Sequence, residues 1–212
     1  MSQMAFPAGA SGVPRSKRRS PWSLLPTSLA AVICMVLSTV AAAQVAVKAE
    51  EFQKTESPWD MAFLPDGTMF FTEKCKGLSV RLPSGKVNAL LGVGGSTGYA
   101  TVKADLFCDG QAGVQGVAVD PQFATNRFVY LYSSSKGSNR TYGGYNNIVM
   151  RMKMDASLSS ASDIVEIIND IGYKPGKSNH PFGGPGAHNG GRLRFNPGDG
   201  FLYVTTGDNH SG

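Results

Sequence analysis

An all-β fold, a β-propeller, is what this sequence predicts, and three observations predict it: abundant turn formers, a hairpin pattern that occurs three times, and no long amphipathic helix. Glycine (26) and proline (12) are numerous among the 212 residues, while apolar residues make up 42% and charged ones 17%. That balance suits short strands joined by many turns better than a helical bundle.

The chain opens with a segment that is read apart from the fold. Arg15-Ser16-Lys17-Arg18-Arg19 precedes an apolar stretch from Leu24 to Val40 and then Ala41-Ala42-Ala43-Gln44. This basic, apolar, small-residue order is that of a secretory signal, with cleavage expected after Ala43. The domains are therefore a signal peptide over 1–43 and a propeller domain over 44–212, in a bacterial protein that is periplasmic or secreted. The alternative is an uncleaved membrane tether, since the stretch approaches the ~20 residues that span a bilayer, although Pro26, Thr27 and Ser38 interrupt it. Arg18-Arg19 is only a weak match to a twin-arginine signal. The front end also explains the formal charge of +5: four of the 20 basic residues and none of the 15 acidic ones lie in residues 1–43. A nearly neutral body with no basic stripe excludes nucleic-acid binding.

Three hairpins follow. The first is Trp59-Asp60-Met61-Ala62-Phe63 and Thr68-Met69-Phe70-Phe71-Thr72-Glu73 around Leu64-Pro65-Asp66-Gly67. The second is Gly116-Val117-Ala118-Val119 and Arg127-Phe128-Val129-Tyr130-Leu131-Tyr132 around Asp120-Pro121-Gln122-Phe123. The third is Gly191-Arg192-Leu193-Arg194-Phe195 and Phe201-Leu202-Tyr203-Val204-Thr205-Thr206 around Asn196-Pro197-Gly198-Asp199-Gly200. Period-two alternation places one face of each strand in a core, and the Pro/Asp/Gly turn reverses the chain. An isolated hairpin is marginal in water; small sheets repeated around an axis bury both faces, which is the propeller solution. The prolines at 65, 121 and 197 are 56 and 76 residues apart, longer than a compact blade repeat of ~40–50. Inserted loops are therefore expected, at Gly92–Asp109, Ser133–Asn147 and Ile171–Ala187. Between them, Met150–Val165 reads as outer strands around the turn Asp155-Ala156-Ser157.

Cys34 lies in the signal, so the mature chain keeps Cys75 and Cys108. In an oxidising compartment two remaining cysteines most economically form one disulfide; two ligands without a nearby partner do not make a zinc site.

Polar groups gather next to strand ends at Cys108-Asp109-Gly110-Gln111, at Gly186-Ala187-His188-Asn189-Gly190-Gly191-Arg192 and at Thr206-Gly207-Asp208-Asn209. If 191–196 and 201–206 are antiparallel partners, His188 and Asp208 project from the same open end and meet. A carboxylate on one ring nitrogen fixes the tautomer and raises the basicity of the other, which suits a general base. Taken alone, each residue has an ordinary alternative: a loop histidine, an Asx turn at Asp208, a Gln111 that satisfies loop backbone. His180 and His210 read as exposed loop residues.

Together these motifs resemble the glucose/sorbosone dehydrogenase family. The resemblance rests on Pro58-Trp59-Asp60-Met61-Ala62-Phe63-Leu64-Pro65-Asp66-Gly67 with Thr72-Glu73, Gly110-Gln111-Ala112-Gly113-Val114 with Asp120-Pro121-Gln122-Phe123, His188-Asn189-Gly190-Gly191-Arg192-Leu193 and Gly207-Asp208. It runs from about Glu51 to the end. It implies a six-bladed propeller, of which this chain covers roughly the first half, with pyrroloquinoline quinone and calcium as cofactors and oxidation of an aldose sugar at its anomeric carbon. By motif matching, His188 is the general base, Asp208 orients it, and Gln111 and Asn189 lie near substrate and cofactor. The chain stops at Gly212, directly after the Gly-Asp motif, so the resemblance implies either a part of a longer sequence, the favoured reading, or a truncated gene whose product is inactive or depends on self-association, with the groups that hold the quinone and the calcium expected beyond that point and no metal ligand to name here. A propeller used as a non-catalytic extracellular binding module is the competing reading, since fold alone does not choose function. Lactone hydrolysis around calcium ranks last, because it needs converging acidic ligands and Asp208 alone is near the expected centre.

Overall fold

The computed structural model describes residues 47–176 and 184–209. The expected signal over 1–43, with Cys34, and the loop histidines His180 and His210 lie outside the described residues. Residues 51–212 form one unit, built from three sheets.

The first sheet holds β1 (Pro58–Phe63), β2 (Met69–Glu73), β3 (Gly77–Arg81), β4 (Val87–Val93) and β5 (Thr101–Lys103) in that order; β5 pairs parallel to β4 and the other neighbours are antiparallel. The second is an antiparallel meander of β6 (Val114–Val119), β7 (Phe128–Lys136), β8 (Tyr145–Met154) and β9 (Ala161–Ile171), with a single-turn helix, α1 (Phe123–Asn126), between β6 and β7. The third is the hairpin of β10 (Gly190–Phe195) and β11 (Leu202–Thr206). The innermost strands are neighbours: β6 packs against β1 on one side and β10 on the other. These are consecutive blades of a propeller.

Each predicted hairpin is present. Phe63 pairs with Met69 across the Pro65-Asp66-Gly67 turn, Val119 with Val129, and Phe195 with Leu202 across Pro197–Gly200. The outer strands also form, with Met154 opposite Ala161. The Asp155 carboxylate accepts the backbone N–H of Ser159 and of Ser160 in that turn.

The loops differ from expectation. Ser133–Asn147 is strand at both ends, with the loop confined to residues 137–144: β7 runs on to Lys136 and β8 begins at Tyr145. Ser133, Ser134, Ser135, Asn146 and Asn147 are buried in those strands, and their side chains hydrogen-bond to backbone and to one another, so a composition that reads as a loop is satisfied inside the sheet. Gly92–Asp109 likewise contains β5, and Ile171 ends β9.

The largest apolar cluster lies between the first two sheets, where Phe70, Leu78, Val80 and Leu91 meet Val114, Val117, Leu131, Met150 and Met152. Phe123 of α1 closes it edge-on against Phe70 at 5.8 Å between centroids. A second cluster joins Tyr132 and Val149 to Leu193 of β10. In β1 the alternation is opposite in sense to the simple expectation: Trp59, Met61 and Phe63 are exposed, and the buried side carries Asp60. The reason is that Asp60 has charged partners on the neighbouring strands, described below.

Cys75, in the β2–β3 turn, is bonded to Cys108, in the loop that leads into β6, across 33 positions of sequence. A loop of that length corresponds to about 3–4 kcal/mol of stabilisation through the unfolded chain. Replacing both cysteines by serine is therefore expected to lower the urea midpoint by that free energy without changing the far-UV spectrum; an unchanged midpoint would contradict it.

Candidate active site

The third hairpin carries the site. Its two strands leave His188 just before β10 and Asp208 just after β11, and Gly190 pairs with Thr206 at the open end. His188 Nδ1 lies 2.8 Å from Asp208 Oδ1. Both side chains are well exposed, at 49% and 62%, as a group that meets a ligand requires.

The backbone is demanding here. His188 has φ = 53°, a left-handed conformation that costs a non-glycine residue roughly 1–2 kcal/mol, and such outliers concentrate at functional sites. The glycines around it are explained by close approach. A Cβ on Gly207 would lie 1.5 Å from the His188 carbonyl oxygen, and one on Gly190, at φ = 72°, would lie 2.5 Å from Gly207 N. Gly207→Ala is therefore expected to push His188 away from Asp208 and to cost at least about tenfold in turnover, since a displacement of ~1 Å costs up to 100-fold. A crystal structure of that variant with the 2.8 Å contact intact would refute this account.

Gln111, from the loop before β6, is brought to the same place. Its Oε1 accepts the backbone N–H of His188 at 3.0 Å, so it touches the backbone of the candidate base. Asn189 was expected beside substrate and cofactor, and its side chain is turned the other way: it is 2% exposed and hydrogen-bonded to Asn147 and Ser134 in the second sheet. Among the described residues there is no group of three or more His, Cys, Asp or Glu able to hold a metal ion.

Sequence reasoning passed over a second charged cluster. Asp60, on β1, receives two hydrogen bonds from Arg194 (Nη1 to Oδ2, 3.0 Å; Nη2 to Oδ1, 2.9 Å), one from Arg192 Nη1 and one from the backbone N–H of Val117 at 3.2 Å. One carboxylate thereby ties together the inner strands β1, β6 and β10. Burial pushes the Asp60 carboxyl up, but the hydrogen bonds from Arg194, Val117 and Met61 outweigh it and hold it below the ordinary value of 3.8. In the sequence Asp60 sits between the apolar Trp59 and Met61, so nothing local marks it as buried; the readable part was Arg192 and Arg194 at same-face spacing on one strand. An apolar groove lined by Phe52, Trp59, Met61, Met69 and Phe71, with Arg192 also in its lining, runs along β1.

Residues 55–212 match the model of the Glucose / Sorbosone dehydrogenase family. The chain belongs to this family. Among curated members, it is 28% identical over 186 residues to the aldose sugar dehydrogenase YliI of Escherichia coli K12, covering 86% of this chain and 43% of that protein. It is 34% identical over 157 residues to the uncharacterised protein slr1608 of Synechocystis, covering 72% and 33%. The chain thus spans less than half the length of these relatives. Among solved structures, the apo form of the soluble aldose sugar dehydrogenase of Escherichia coli is similar with a TM-score of 0.54 and 26% identity, over 74% of this chain and 39% of that one. The aldose sugar dehydrogenase of Streptomyces coelicolor, solved in its PQQ-bound form, shares the fold at a TM-score of 0.54 and 24% identity, over 74% and 39%. Membership fits the three-blade architecture.

Proposed function

We propose that this chain is part of a pyrroloquinoline quinone-dependent sugar dehydrogenase that oxidises an aldose at its anomeric carbon, with His188 as the general base. The observation that carries the reading is the exposed His188–Asp208 pair, 2.8 Å apart at the open end of an inner hairpin, in a member of this family.

When bound, the quinone supplies the acceptor for the hydride that leaves C1 of the sugar. The rest falls to this chain's side chains. The hydroxyl on C1 must lose its proton as the hydride departs, and His188 receives it at Nε2, because Nδ1 faces Asp208. The Asp208 carboxylate fixes the tautomer and stabilises the imidazolium that forms. Gln111 holds the His188 backbone at 3.0 Å, which keeps the base in register without entropy loss during the reaction. The donor set suits the proton half of such an oxidation. The groups that would hold the quinone carboxylates and the calcium ion are not assigned to residues of this chain.

The test uses the natural full-length protein that carries this chain. Dye reduction is measured with a panel of aldoses before and after addition of the quinone with calcium. Aldose turnover that depends on the quinone is the expected result. Absence of both turnover and quinone binding in the intact protein would sink the reading and leave a non-catalytic binding propeller in its place.

A further inference from the structure

His188, in its left-handed conformation, is followed by Asn189, whose side chain is bonded into the neighbouring blade. The side-chain amide of Asn147 donates from Nδ2 to Asn189 Oδ1 at 3.0 Å, Asn189 donates from Nδ2 to Ser134 Oγ at 3.3 Å, and Ser134 donates from Oγ to Asn147 Oδ1 at 2.7 Å. These three bonds close a ring in which every member both donates and accepts. Ser134, Asn147 and Asn189 are at most 2% exposed. In a low-dielectric interior such bonds reinforce one another. A second Asn147 Nδ2 bond, to Gly172 O at 2.6 Å, anchors the ring to the end of β9.

The Asn189–Gly190 peptide is fixed as well. The Asn189 carbonyl accepts the hydroxyl of Tyr132 at 3.0 Å and the N–H of Gly207 at 3.2 Å. Tyr132 is fully buried, and burial pushes its phenol well above the ordinary 10.0, so it stays a donor. With Gln111 Oε1 on the His188 N–H, the residue is clamped on both sides.

We propose that Tyr132 and the Ser134–Asn147–Asn189 ring are positioning residues, which hold His188 at φ = 53° and so keep its imidazole against Asp208. The inference rests on the reading of His188 as the base, but its principal test does not. A left-handed non-glycine residue is intrinsically disfavoured, and without the clamp the 187–189 peptides relax toward ordinary φ and release Gln111.

Tyr132→Phe removes one hydroxyl and keeps the ring's packing; the Asn189 carbonyl still accepts from Gly207, so the fold survives. Ser134→Ala opens the ring independently and serves if the first variant is unstable. Residue-resolved amide hydrogen exchange in the full-length protein is expected to show the His188 amide exchanging at least tenfold faster in either variant, with Leu131 and Met150 in the β7–β8 ladder unchanged. Quinone-dependent kcat is expected to fall about 5- to 20-fold with KM within twofold. Unchanged exchange at His188 in both variants overturns the proposal and leaves these residues as ordinary core. If the His188 amide is freed while His188→Ala retains full turnover, the positioning role stands and the catalytic reading of His188 fails.

Discussion

Replacing His188 by alanine is expected to lower quinone-dependent aldose oxidation at least about 100-fold and to leave the fold intact. A positioned base contributes typically 10²–10⁴ to rate, and the loss falls on kcat. The fold survives because both members of the His188–Asp208 pair are largely exposed, and exposed ion pairs contribute at most about 1 kcal/mol. The left-handed backbone at 188 dictates the control. Asn adopts that conformation more readily than most residues, so His188→Asn keeps the turn and removes the base. Steady-state dye reduction and a thermal melt on wild type and both variants decide the matter. A His188→Asn protein that turns over within tenfold of wild type would exclude His188 as the base.

The second large effect is on stability. Asp60→Ala removes the acceptor that β1, β6 and β10 share, leaving two guanidiniums and the buried Val117 N–H without it. Breaking one side of a fully buried pair costs about 3–5 kcal/mol. The Arg192 and Arg194 side chains are half exposed and can be rehydrated, so about 2–4 kcal/mol is expected, read from chemical denaturation. The same carboxylate sets an acid limb. Its pKa is lower folded than unfolded, so the unfolded chain takes up its proton first as pH falls. The stabilisation is complete above the ordinary value of 3.8 and is lost as pH drops through the folded value. Asp60→Asn, which cannot titrate, is expected to flatten stability against pH below about 4; an acid limb identical to wild type would assign it to other carboxylates.

Several features were legible because they are local. The three hairpins follow from period-two alternation interrupted by Pro, Asp and Gly, which restrict φ within a few residues, and the partners Phe195 and Leu202 follow from the length of the turn between them. The meeting of His188 and Asp208 is legible for the same reason, since two groups that flank one hairpin share its open end. Family membership came from four motifs in order, each short enough to be read without a structure.

The orientation of Asn189 was not legible. Its neighbour in sequence faces the open end, yet its own amide turns into a ring with Ser134 and Asn147, 55 and 42 residues away. The polar run Ser133–Ser135 looked like a loop for a related reason: its partners, Gly113, Asn147, Asn189 and Asp105, are distant in sequence. Asp60 shows the same limit. The apolar residues at 59, 61 and 63 gave no sign that position 60 is buried, and only the packing of β10 beside β6 supplies it with Arg192 and Arg194, 132 and 134 residues on. The sequence by itself therefore determined the strands, their turns and the residues at the hairpin's open end, because these depend on backbone preferences over a few positions. The tertiary structure decided which buried polar groups find partners, because a desolvated donor or acceptor is satisfied by whatever the neighbouring blade presents, and blade order is fixed by packing across the whole fold.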